Sequence, residues 1–201
     1  MLKLRHSPAS PFVRKVLVFA HETGLAERIE RVATDVWAPD SDIQRDNPLG
    51  KVPALITNDG TFIGSLLCCE YLDTVHGGRR LIPTAPAERW PVLQLHALAD
   101  GIMEAAVARV VEAVRRPKEF IYQGNLDRQE AKLRHALDAI EAPAGALGER
   151  VDIATLTLAC ALAYLDFRLP QLDWRRGRPT AARWHAGFAA RPSMMATQPR
   201  L

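Results

Sequence analysis

The alternation of two hydrophobic periods stops at residues 81–86, and that break leaves the chain few architectures. Before it, apolar residues recur with period two and with helical spacing in turn. After it, nothing reads as a strand. Leu2 to His6 alternates apolar and polar, a short strand. Ser10 then caps a helix with Pro11 at its first position; Val13, Val16, Leu17 and Ala20 form its apolar stripe and Gly24 stops it. Residues 29–33 read as a second strand, and residues 37–50 as an irregular polar stretch with room for one helical turn. Residues 54–57 and 61–63 flank the turn Asn58-Asp59-Gly60, a hairpin signal. Ser65 to Val75 follows as a helix, ended by His76-Gly77-Gly78. Residues 1–80 therefore predict a compact α/β unit. Leu81-Ile82-Pro83-Thr84-Ala85-Pro86 is the linker, and residues 87–201 predict an all-helical domain with helices near 87–115, 126–142, 152–168 and 178–190.

Composition removes several function classes. Of 201 residues, 48% are hydrophobic and 24% charged, ordinary for a globular protein, and the formal net charge of +3 is spread thinly. The paired arginines Arg79-Arg80, Arg115-Arg116 and Arg175-Arg176 fall at element ends, where cations meet helix termini, and form no basic stripe for nucleic acid. The longest apolar run, 153–165, is short of the about 20 residues a bilayer needs. With no signal-peptide pattern at the N-terminus, a cytoplasmic protein is expected. Cys68, Cys69 and Cys160 are an odd count with an adjacent pair, which predicts buried thiols in a reducing compartment instead of a disulfide framework or metal site. The six histidines show no triad or metal spacing.

Chemistry concentrates in two places. Pro53 at a strand mouth donates no ladder hydrogen bond and permits a cis peptide. That leaves the Val52 backbone available to an extended ligand. Beyond the hairpin, Ser65 opens a helix whose unpaired N–H groups suit a carboxylate. A free strand edge beside such a helix start is a pocket for a short acidic peptide. Ser10, at the first turn of another helix, offers a hydroxyl to a bound thiolate; a plain N-cap explains the Ser-Pro pair equally well.

Ser10-Pro11-Phe12-Val13-Arg14-Lys15-Val16, Asn47-Pro48-Leu49-Gly50-Lys51-Val52-Pro53 and Ser65 with Glu70-Tyr71-Leu72 resemble the glutathione S-transferase family, notably its bacterial serine-type members. Residues 162–168 and the ending from Trp184 to Ser193 resemble it too. Five blocks in this order cover essentially the whole chain. The resemblance implies a thioredoxin-like N-terminal domain carrying a glutathione site and an all-α C-terminal domain. It assigns Ser10 as the residue that activates the glutathione thiolate, with Ser7 as runner-up. It places Lys51, Val52, Pro53, Gly64 and Ser65 against glutathione, with Pro53 cis and Lys51 equally readable as a solvated loop residue. Relatives usually carry an acid where this chain has Gly64, so Gly64→Glu is expected to strengthen binding of the ligand's ammonium.

The expected activity is a transferase that directs glutathione, a co-substrate and not a cofactor, at a small apolar electrophile, as in detoxification. The electrophile's pocket would come from the helical domain. No metal, nucleic acid or membrane partner is expected, and a homodimer is, from the apolar helix carrying Leu93, Leu98, Ile102, Val107 and Val110. The competing reading is a non-catalytic binding or interaction protein of the same fold; an isomerase or dehalogenase would share the thiolate step. Arg14, one turn past Ser10, reads as a surface residue, with enrichment of the cleft's positive potential as the alternative; Asp100 with Glu104 read as solvated helix face, with the cleft or the dimer surface as the alternative. Asp152 reads as the cap of the helix from Ile153, with Thr155 three residues on in an exchanged order of types.

Overall fold

The computed structural model describes residues 1–200 and divides into two compact units, residues 1–84 with 192–200, and residues 85–191. The first unit is built on a four-stranded mixed sheet of order β2-β1-β3-β4: β1 (Leu2–His6), β2 (Ile29–Ala33), β3 (Ala54–Thr57) and β4 (Gly60–Ile63). β1 runs parallel to β2, with Leu4 opposite Arg31, and antiparallel to β3, with Arg5 opposite Ala54. β3 and β4 form the hairpin. A parallel pair needs a crossover, and α1 (Pro11–Glu22) supplies it. Its Val13, Val16, Leu17, Phe19 and Ala20 are buried. α2 (Ser65–Val75) packs against α1, β3 and β4.

The segment between β2 and β3 is tied down from the sheet. Buried Arg5 in β1 pairs with Asp42 and, at 3.3 Å, with Asp46. Its guanidinium holds the Asp42 carboxyl below the usual carboxylate range. Behind these acids comes Asn47, 2% exposed, whose amide donates to the Lys51 carbonyl (2.7 Å) and accepts from the Leu49 N–H (3.0 Å). Gly50, at φ 65°, completes the turn. This segment delivers Lys51 and Val52 to the mouth of β3.

The first unit also holds a helix too short to announce itself by periodicity, α7 (Pro192–Ala196), which packs against α1. Arg14 donates to the Met194 carbonyl at 3.0 Å, Ser193 donates to Glu22, and the Arg200 N–H donates to the Pro8 carbonyl. Arg14 is thus 7% exposed, and the surface role expected for it is wrong.

The second unit is helical throughout: α3 (Pro86–Arg115), α4 (Gln123–Leu147), α5 (Ile153–Arg168) and α6 (Pro179–Ala189). α5 is buried on every side over its first ten residues and packs against α3 and α6. A helix buried all round can carry no solvated stripe, which explains its uniform apolarity. Its start is closed by a capping box: Asp152 accepts from Ala154 and Thr155 N–H at 3.0 and 2.9 Å, while Thr155 accepts from the Asp152 N–H at 3.0 Å. The exchanged residue types therefore keep both arms of the box. α4 runs five residues beyond its expected end. Pro143 withholds one N–H, but Leu133, Leu137, Ile140, Ala144 and Leu147 continue one buried face through it.

Candidate functional site

The sheet register brings three segments to one end of the sheet. Antiparallel pairing sets Ala54 beside both Arg5 and Ile63. The chain leaving β1 at His6, the chain entering β3 through Pro53 and the chain leaving β4 at Ile63 therefore meet there. These are the segments carrying Ser7 and Ser10, Lys51 to Pro53, and Gly64-Ser65. Local sequence decides each: Ser10-Pro11 starts a helix, Asn47 and Gly50 shape the entry to β3, and Gly64 breaks β4 into α2.

Ser10 is the N-cap of α1, extended at φ −80° and ψ 122°, and its Oγ accepts the Val13 N–H at 3.3 Å. A hydroxyl that accepts still has its own proton to donate. The cap and a thiolate donor are therefore compatible in one side chain. The N–H of Ser10 itself is spent on the Ser7 carbonyl at 3.1 Å.

The Val52-Pro53 peptide is cis. Ladder pairing begins only at Ala54, and among the described residues no hydrogen bond engages the Val52 backbone. Lys51 is exposed.

Ser65 is the first residue of α2, and Gly64, not Ser65, is its N-cap. The first intrahelical bond runs from Cys68 N–H to the Gly64 carbonyl, so the amides of residues 65–67 have no partner within the helix. Ser65 is buried, and no hydrogen bond among the described residues engages its hydroxyl. Gly64 stands at φ 81° and ψ 136°, a conformation L-residues rarely adopt, although a Cβ there would meet nothing within 4 Å. This qualifies the expectation for Gly64→Glu: any side chain at this position carries backbone strain before it can gain a contact.

Burial pushes the Cys68 thiol of α2 up to about 12, so it supplies no thiolate. Cys69 and Cys160 are also buried. Among the described residues no group of three His, Cys, Asp or Glu side chains is placed to hold a metal ion, and no helix is long and apolar enough to cross a membrane.

Two roles escaped the sequence reasoning. Asn47 is quoted only as part of the motif before Pro53, and its Asn-Pro-x-Gly spacing was the available signal for its turn. Arg14 is weighed for the cleft's positive potential, but its burial had no local signal, since its anchor Met194 lies 180 positions away.

The family model for the glutathione S-transferase N-terminal domain matches residues 9–75, and that for the C-terminal domain matches residues 123–187. The uncharacterized GST-like protein YibF of Escherichia coli (strain K12) is 34% identical over 202 residues, covering 98% of each chain. The chain belongs to the glutathione S-transferase family. Solved glutathione S-transferase structures share its fold throughout. A family member from Pseudomonas fluorescens Pf-5, solved with bound glutathione, is 44% identical at a TM-score of 0.94, with both chains fully covered. A glutathione S-transferase from Methylobacillus flagellatus, also with glutathione bound, is 32% identical at 0.92, again with full coverage of both. The mixed sheet and helical second unit are thus the thioredoxin-like and all-α halves of the glutathione S-transferase fold.

Proposed function

We propose that this glutathione S-transferase binds glutathione at the end of its sheet and activates the thiol for attack on an electrophile. In this reading the Val52 backbone pairs with the extended tripeptide, Ser65 and the first amides of α2 hold a carboxylate, and Lys51 reaches the other carboxylate. The observation that carries it is the convergence of three unspent groups, the Ser10 hydroxyl proton, the Val52 backbone and the α2 start, at one sheet end. Glutathione in two relatives of matching fold supports the ligand's identity.

The chemistry asked of Ser10 is modest. A thiol of pKa about 8.5 is mostly protonated at neutral pH. Lowering it by two units needs roughly 2.7 kcal/mol of preference for the thiolate. One hydroxyl donor, charge-assisted, with the positive end of α1 behind it, is of that size. Sulfur then attacks with the electrophile held nearby.

Retention on immobilised glutathione together with turnover of a chloronitrobenzene tests the proposal. Retention without turnover of any electrophile would favour the non-catalytic binding protein. Absence of glutathione-dependent protection against unfolding would remove the ligand itself. The expected assembly is a homodimer.

A further inference from the structure

A cleft of about 170 Å³ within the first unit is bordered by Ser7 and Ser10 and by residues 196–198 and Arg200. His6, Arg14 and Arg31 also line it, and among the described residues no aspartate or glutamate does. None of these three arginines makes an ion pair among the described residues. Arg14 is the built part of the cleft. It is more than nine-tenths buried, held through one terminal nitrogen by the Met194 carbonyl, and its Nε has no partner. Arg31 and Arg200 are exposed at the rim.

Three guanidinium groups around a small cleft that no carboxylate side chain lines among the described residues leave a positive field there. Burial first, then the Arg31 charge, pushes the pKa of the His6 imidazole down. Guanidinium forks match a carboxylate geometrically, with paired N–H donors. Sites for whole drug-sized ligands run to about 300–1,000 Å³. A cleft of about 170 Å³ suits one end of a ligand.

We propose that this cleft receives the carboxylate of the electrophile, so that the acceptor substrates are small electrophilic acids. The assignment rests on the glutathione transferase reading above and replaces the purely apolar electrophile with an acidic one. The reacting carbon then lies on the Ser10 side, where the activated sulfur is expected. The thiolate forms the carbon–sulfur bond, the bond to the leaving group breaks, and that group departs with the electron pair. The carboxylate is held and unchanged.

The test pairs 4-chloro-3-nitrobenzoate with its methyl ester, glutathione displacing chloride from each. The acid-to-ester ratio of kcat/KM is measured for the native protein and for Arg31→Gln and Arg200→Gln, both rim substitutions. A fall in that ratio of about tenfold is expected, the size of one charged hydrogen bond. Calorimetric titration with unreactive 3-nitrobenzoate, in the presence of glutathione, reads the same site without catalysis and should weaken by a similar factor. Conjugation of the ester with a ratio unmoved by either substitution overturns this assignment alone. So does 3-nitrobenzoate that fails to bind, binds equally to the variants, or excludes glutathione. Conjugation of neither compound overturns the transferase reading and this assignment with it.

Discussion

Ser10 and Gly64 show how much a single position can be asked to do. Ser10 closes the first turn of α1 through Val13 and, in the proposed mechanism, donates its remaining proton to sulfur. Ser10→Ala should lower conjugation roughly 10- to 100-fold, the value of one hydrogen bond to a charged group. Glutathione affinity should stay within a few-fold. Steady-state kinetics beside calorimetry separates the two effects, and Ser7→Ala is the comparison: full activity in Ser10→Ala with loss in Ser7→Ala would move the role to Ser7. At Gly64 the positive φ decides the sign of any substitution. Gly64→Ala should cost about 1–3 kcal/mol of stability, seen as a fall of several degrees in thermal unfolding. Any gain in affinity from Gly64→Glu must be measured against Gly64→Ala; equal affinities would show that the added carboxylate finds no ammonium. The identity of these residues was legible in the chain. The demand on the backbone at Gly64 was not, because φ is set by the geometry joining β4 to α2.

Elements were legible where their signal is local. β1, β2 and the hairpin follow from period-two runs and turn residues, and α5 from its apolar density and its cap. α4 runs past its expected end at 142 through Pro143, because burial of Ala144 and Leu147 outweighs one withheld hydrogen bond. α7 was missed because five residues hold too little of a period to show. Its contacts, like the burial of Arg14, depend on residues far apart in sequence. The cap of α5 carries the prediction at this scale. Asp152→Ala removes both acceptor contacts to the first turn and strips Arg150 of its partner at 2.7 Å. A loss of about 2 kcal/mol is expected, at the upper end for N-caps. Chemical denaturation checks it; Asp152→Ser, which keeps an acceptor, should recover most of the loss. An unchanged midpoint in Asp152→Ala would show that α5 needs no cap.

At the scale of the molecule, family membership and fold agree across essentially the full chain. Assembly is the open quantity. Along α3, Ile102 and Val110 are buried, but Leu93, Leu98 and Val107 are half-buried in the single chain. A second copy related by a two-fold axis would cover them. Light scattering at micromolar concentration should give twice the 22.3 kDa chain mass, and a value of 22.3 kDa would overturn the expectation.

Residues 192–200 return to the first unit after more than a hundred residues of helices, and they hold Arg14, Glu22 and Pro8. Domains generally form in the order the ribosome releases them. Here the unit synthesised first is left with an open flank until residues 192–200 have been made. A nascent chain stalled within the helical half would hold its sheet and α1 without the segment that borders Ser10. The candidate nucleophile-activating loop is therefore completed only after the helical unit has been made.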